Sequence, residues 1–375
     1  MGLTNIRLGD YIERSTINNK ELKYGVDLIV GVNSQGVFTA PKGNTDGVDL
    51  KPYKIVENGA FVYNPTRLEL GSIAYRTEGL CIVSHLYMVF YLTDEGKKII
   101  DPMWLYIYFR RSEFCREVKF RNFGSQRPEF NFNDMSDIVI PLPDIEIQKK
   151  YVDIYNAMLE NQKSYEYRLE DLKLACDAYI EDLKHGIHCK AIGPYVERHD
   201  VRNRTNEIKN VMGVSTSKEF REPTSKVNRN ELSNYKIVRP RQISFVQTTH
   251  NEKVFAYAFN NTEDDIVVTS VNEVFSVDED KLLPEYLCMF FNRTEFDRYA
   301  RFHSWGSARE TFTWDDLVKV EIPIADMKTQ KSIADIYKAY KERKAINEKL
   351  KEQIKDICPI LIKGSIEEAR KAKEA

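Results

Sequence analysis

Two stretches of this chain carry apolar side chains at a spacing that suits only a helix. Tyr151, Tyr155, Met158, Gln162, Tyr165, Leu169, Leu172, Cys176, Tyr179 and Leu183 recur in steps of four and three, and all but Gln162 are apolar or aromatic. Such steps place side chains along one stripe, a heptad seam sustained for about five heptads. Ile336, Tyr340, Arg343, Asn347, Leu350, Ile354, Ile357 and Leu361 repeat the pattern. A helix of about 37 residues rises roughly 55 Å, too long to be covered by a domain of about 145 residues. The two seams are therefore expected to pack on each other, antiparallel. Gln162 and the Arg343/Asn347 pair interrupt them, and polar residues in a seam can fix register at some cost in stability. Pro359 is expected to kink or end the second helix.

Between these helices the pattern shortens. Residues 73–75, 81–83, 87–92, 254–259 and 266–269 have strand composition and are separated by Gly, Asn or Asp clusters. A short helix is expected at 103–114 and again at 285–296. A Gly-Ser loop follows, then a strand closing on proline at 138–143 and 320–323. Pro141, Pro143 and Pro323 mark where a domain ends and a helix can begin.

These parallels reflect a duplication. Segments 113–157 and 295–339 are one segment written twice, 182 positions apart and without a gap. Glu113, Phe114, Arg116, Phe120, Gly124, Ser125, Arg127, Phe130 and Asp134 recur as Glu295, Phe296, Arg298, Phe302, Gly306, Ser307, Arg309, Phe312 and Asp316. Gln148-Lys149 and Asp153-Ile154-Tyr155 recur as Gln330-Lys331 and Asp335-Ile336-Tyr337. Upstream the repeat is fainter: Gly31-Val32 and Tyr53-Lys54-Ile55-Val56 match Gly213-Val214 and Tyr235-Lys236-Ile237-Val238. Near the start the offset becomes 184, pairing Gly9, Tyr11, Arg14 and Asn19 with Gly193, Tyr195, Arg198 and Asn203. A period this long is no solenoid, whose repeats run about 20–50 residues. Between the anchors the copies diverge almost freely, so one scaffold carries two sets of loops.

Composition narrows the class. No apolar run approaches the length of a membrane span, and mean hydropathy is −0.48. The start lacks a basic-then-apolar signal layout, so a cytoplasmic protein is expected. Six cysteines form no CxxC pair and are read as reduced and structural, with Cys176 and Cys358 as repeat equivalents. Net charge is −2, against the basic balance usual for nucleic-acid binders, but charge is unevenly placed. Residues 196–241 hold 11 Lys/Arg against 6 Asp/Glu, and 110–127 hold 6 against 2.

Catalytic motifs are missing. There is no G-x-x-x-x-G-K-[ST] phosphate loop and no G-x-G-x-x-G after a strand. Asn64-Pro65-Thr66 lacks the second proline and the ring of an amino-methyltransferase tetrapeptide. Pro143-Asp144, Glu146 and Lys149 lack nuclease spacing. His185, His188, Cys189 and His199 are better explained by the helix–domain junction than by zinc. The residues describe a reader, with chemistry supplied elsewhere.

Two variable domains alternating with two long helices resemble the specificity (S) subunit of Type I restriction-modification systems. Phe-Gly-Ser-Gln-Arg…Phe…Ile-Val-Ile-Pro-Leu-Pro-Asp-Ile-Glu-Ile-Gln at 123–148 and Trp-Gly-Ser-Ala-Arg…Phe…Val-Glu-Ile-Pro-Ile…Gln at 305–330 are similar to the family's junction motif. Gly71-Ser72-Ile73-Ala74 resembles a stretch of its target recognition domains. The resemblance covers residues 5–363. The second copy departs with Ala325-Asp326-Met327 where the first has Pro143-Asp144-Ile145, and Pro359 shortens its helix.

The resemblance implies an α+β chain with an internal pseudo-two-fold repeat. Two tandem mixed α/β target recognition domains (1–146 and 187–327) are separated by two spacer helices (147–186 and 328–363) packed as an antiparallel coiled coil, with a tail at 364–375. It implies a subunit without catalytic residues, each domain reading one half of an asymmetric bipartite site on double-stranded DNA. The helices would set the spacer and dock methyltransferase (M) subunits, two in number, which restriction (R) subunits join. This chain would hold no cofactor; S-adenosylmethionine, ATP and Mg would belong to the partners. A Type IIB-like or stand-alone methyltransferase could use the same module, and a coiled-coil protein–protein scaffold is the alternative from another class.

Base readout needs Arg, Asn, Gln or similar donors reaching base edges. Candidates lie where the copies diverge: Asn33, Ser34, Gln35, Lys42 and Asn44 in the first, and Ser215, Thr216, Ser217, Lys218, Arg221 and Lys226 in the second. Arg67, Arg76, Gln247, Thr248, Thr249 and His250 are further polar loop candidates. Arg127 and Arg309 occur in both copies, so they cannot encode different half-sites. They are expected to bind phosphate or brace the domain. Phe130/Phe312 and Phe132/Trp314 read as core anchors.

Overall fold

The computed structural model describes residues 2–41, 43–122, 129–248, 254–305 and 310–374. The chain divides into two compact units, 1–164 with 347–375 and 165–346. Each contains one mixed domain and a stretch of both long helices.

In the first unit four antiparallel strands stand in the order Ile12–Ser15, Met88–Leu92, Phe61–Tyr63, Ile73–Tyr75. Alternation explains why this sheet is covered on both sides. Phe61, Tyr63 and Phe90 face a large core with Trp104, Phe109 and Phe114, while Val62 and Val89 face a smaller one with Val56, Cys81 and Val83. Lys54–Val56 pairs with Cys81–Val83, and Gly31–Val32 forms a hairpin with Phe38–Thr39. Thr4–Arg7 pairs with Val139–Leu142, closing the domain where the long helix starts. The second unit repeats the topology with Val196–His199, Asn272–Val277, Ile243–Val246 and Tyr257–Phe259. Its hairpin is Gly213–Val214 with Phe220–Arg221, and its closing pair is Cys189–Ala191 with Glu321–Pro323.

The copied framework explains several repeat anchors. Asn19 and Asn203 are buried and make the same loop bonds: Asn19 donates to the Tyr24 carbonyl and accepts from its N–H, and Asn203 does so with Ile208. Gln148 and Gln330 are fully buried at the helix starts. Gln148 accepts from the Asp101 N–H and donates to the carbonyls of Ile99 and Pro143 at 2.7–2.8 Å. Gln330 repeats all three bonds with Leu283, Lys281 and Ala325. A buried amide so satisfied ties the sheet domain to the helix rigidly.

Phe130 and Phe312 are fully buried, and Phe132 and Trp314 pack against the same cores. The short helix expected before the Gly-Ser loop is two helices in each domain: Pro102–Phe109 and Ser112–Arg121, then Pro284–Phe291 and Thr294–Phe302. The break folds Phe114 onto Phe109 and Phe296 onto Phe291, with ring centroids 4.9 and 4.6 Å apart. A continuous helix would point those rings apart.

The first long helix is Ile145–Gly186 and the second Met327–Glu374. Within each unit they pair antiparallel. In the first, Lys150 and Tyr151 reach Glu368, while Gln162 donates to Asn347 at 2.9 Å, both amides buried. In the second, Arg343 lies 5.7 Å from the Tyr165 ring, and Cys176 and Ile180 share a core with Ile333 and Tyr337. The seam drifts at its end: Ile180 is buried and Tyr179 is exposed, as expected when 3.6 residues per turn meet a 3.5-residue spacing. Pro359 does not end the second helix. Its missing N–H removes one helix bond, but Cys358, Leu361, Ile362 and Ala369 are buried around it and hold the helix to Glu374. Among the described residues no helix is long and apolar enough to cross a membrane.

Candidate nucleic-acid interface

The two hairpin turns, 33–37 and 215–219, hold most of the diverging polar residues. Each is a built structure. In the first, the Asn33 side-chain oxygen accepts from the N–H groups of Gln35 and Val37, leaving Ser34 and Gln35 exposed at the tip. In the second, Ser215 is buried; its hydroxyl sits 2.6 Å from that of Ser217 and donates to the Glu219 carbonyl. Asn33 and Ser215 therefore brace their turns, and Thr216 and Ser217 crown the second one.

Both turns need a left-handed residue, Gly36 with φ 73° and Lys218 with φ 63°. Each is pinned to the helix beneath by a cation. Arg110 donates to the carbonyls of Gly71 at 2.5 Å and Ser34 at 3.3 Å, while Tyr106 donates to the Gly36 carbonyl. In the second domain Lys218 itself does the pinning. Its ammonium donates to the Phe291 carbonyl at 2.7 Å and lies 2.8 Å from Asp297. Burial pushes the Lys218 ammonium pKa down, partly offset by Asp297. Lys218, a candidate for base contact in the sequence, is thus turned inward and only 7% exposed. The signal that could have shown this is a compensated exchange at one offset: Gly36, Arg110 and Cys115 against Lys218, Asn292 and Asp297.

Other candidates scatter around these turns. Asn44, Arg67, Arg221 and Lys226 are exposed. The Asn44 side-chain oxygen accepts from the Asp46 N–H. Arg76 is half-buried, its guanidinium 5.3 Å from the Phe38 ring of the first hairpin. Gln247 donates to Glu273, and Thr248 bridges to Thr311. Lys42, Arg127, Thr249, His250 and Arg309 lie outside the described residues.

A charged cluster beside the second sheet escaped the sequence reading. Glu273 is buried and accepts two bonds from Arg198 at 2.7 and 2.8 Å; the buried Lys236 ammonium lies 3.5 Å from both Glu273 and Asp200. Arg198 and Lys236 were visible as repeat anchors, but not the carboxylates that hold them. Among the described residues no group of three His, Cys, Asp or Glu side chains is placed to hold a metal. The six cysteines are free thiols, and burial raises Cys176 and Cys358 to about 11.

The model of the "Type I restriction modification DNA specificity domain" matches residues 4–170 and 194–356. No curated relative matches the chain in sequence. Among solved structures, the S subunit of the Type I restriction-modification system from M. genitalium aligns with a TM-score of 0.60 at 11% identity, over 97% of this chain and 96% of that one. The HsdS subunit from Thermoanaerobacter tengcongensis aligns at 15% identity over 97% and 96%, with a TM-score of 0.40. Two matches of the family model, one per copy of the repeat, cover most of the sequence, and the chain belongs to the family of Type I restriction-modification DNA specificity domains.

Proposed function

We propose that this chain is the DNA sequence-recognition subunit of a Type I restriction-modification complex. Each domain reads one half of an asymmetric bipartite site. The observation that carries this reading is one framework used twice with different reading loops. The same strand order, buried glutamines and left-handed turn recur, while the residues at the hairpin tips differ. A shared frame presents two loops alike; unlike loops then select unlike half-sites. Ser34, Gln35, Asn44, Arg67 and Arg76 in the first domain and Thr216, Ser217, Arg221, Lys226 and Thr248 in the second are the described side chains proposed for DNA. Lys218, Asn33 and Ser215 are assigned to support, and Gln247 is held by Glu273.

The long helices act as the spacer between readers and as the dock for two methyltransferase subunits, to which restriction subunits add. The chain itself carries out no chemistry. S-adenosylmethionine, ATP and Mg bind to the partners, and the complex works in the cytoplasm. Genome-wide mapping of modified bases, with and without this gene, tests the reading. Loss of one bipartite motif with two unlike halves is expected; an unchanged methylome in a strain whose methyltransferase partner is expressed and active contradicts it.

A further inference from the structure

The duplicated frame places two cations at the same point in both domains, but neutralises them in only one. Strand register fixes the correspondence. Arg14 pairs with Phe90 and Tyr63 with Met88 in the first sheet; Arg198 pairs with Phe275 and Phe245 with Glu273 in the second. Met88 therefore stands where Glu273 stands, and Arg14 and Lys54 stand where Arg198 and Lys236 stand. In the second domain both cations converge on Glu273, with Asp200 beside Lys236. In the first, Met88 offers no charge, and Thr16 occupies the place of Asp200. Among the described residues Arg14 has no ion-pair partner, and Lys54 only donates to the Tyr87 carbonyl at 2.5 Å. Burial lowers the Lys54 pKa, and the charge of the neighbouring Arg14 lowers it further, with no carboxylate at Met88 to offset either effect. The Tyr63 hydroxyl, which feels the Arg14 charge, is buried and has no hydrogen-bond partner among the described residues. Asp134, whose field also reaches Tyr63, is already bonded to the Asn131 N–H.

We infer that Arg14 and Lys54 hold a backbone phosphate of bound DNA, which takes the charge-neutralising role that Glu273 fills in the second domain. The inference rests on the DNA-reading function proposed above and assigns this domain a sequence-independent anchor. Arg14 is exposed and Lys54 half-buried, so an outside anion can reach the pair. A guanidinium and an ammonium that already share one carboxylate in the second domain suit a phosphate oxygen in the first. Phosphate contacts fix orientation without reading sequence.

The test uses the full chain assembled with its methyltransferase subunits and a mixed-sequence duplex, with affinity measured across a salt series. Arg14→Gln should weaken binding about tenfold and lower the slope of log affinity on log salt by about one. Met88→Glu, which supplies the missing carboxylate, should do the same. Arg14 is exposed, so the first variant remains informative if the second fails to fold. Wild-type affinity and slope in Arg14→Gln overturn the inference while leaving the DNA-reading function standing. Lost assembly with the methyltransferase at unchanged DNA affinity also overturns it, because the anion is then a partner's carboxylate. Absence of duplex binding by the wild-type complex removes the function on which the inference rests.

Discussion

The first and second hairpins are held in the same way by opposite means. In the first domain the cation belongs to the helix end, and Arg110 reaches up to the carbonyls of Gly71 and Ser34. In the second it belongs to the turn, and Lys218 reaches down to the Phe291 carbonyl and Asp297. Gly36 takes the left-handed turn freely, and a Cβ there would stand 2.7 Å from the Arg110 guanidinium. Lys218 takes the same φ against the ordinary preference of a side-chain-bearing residue, a cost of about 1–3 kcal/mol that its ion pair offsets. The pinned turn is what the duplication preserved; the residues that pin it were free to change as a set. The cation pair beside Met88 and Glu273 teaches the converse. There the cations persist and only the anion differs, which is why one is assigned to the domain itself and the other to its ligand.

The largest expected effect breaks the second arrangement. Lys218→Ala leaves Asp297, at 17% side-chain exposure, with the Phe255 N–H but without its cation, and should destabilise the second unit by about 3 kcal/mol, read by hydrogen exchange in that unit. Adding Asn292→Arg to Lys218→Gly should restore part of the loss, since it rebuilds the first domain's solution; no recovery would show the two hairpins are not equivalent. Gln148→Leu and Gln330→Leu should each cost about 3 kcal/mol, and equally, because each removes the same three buried bonds. Unequal losses in denaturant unfolding would contradict a shared domain–helix joint. Arg110→Ala should cost only about 1–2 kcal/mol, because it strands carbonyls and no buried charge. Its amide exchange should rise at 33–37 and stay unchanged at 215–219. Arg116→Ala, which removes an exposed i,i+3 pair with Glu113, should fall within about 0.5 kcal/mol.

The seams and the repeat made the architecture legible, because a heptad spacing and a constant offset are properties of sequence alone. Gln162 and Asn347 were visible as interruptions, and in the structure they meet each other. The reach of the second helix was not legible, since Pro359 argues locally for an end and the packing of Leu361 and Ile362 overrides it. Nor was the helix break before Phe114 and Phe296, which serves ring packing rather than propensity. Candidate contacts were legible as positions of divergence. Which of them face outward was not: Lys218 and Ser217 lie side by side in the chain, and only the fold turns one inward. Arg14 and Lys54 were legible only as anchors, because their meaning depends on Met88 across the sheet.

Independent reading by the two domains on one frame is what the proposed function requires. Its most direct measurement is the methylome of cells whose chain carries the first domain, 1–146, in place of the second, 187–327, beside the same methyltransferase. The expected motif contains two copies of one half-site where the parent motif had two different halves. Retention of the original asymmetric motif would show that the domains do not read independently.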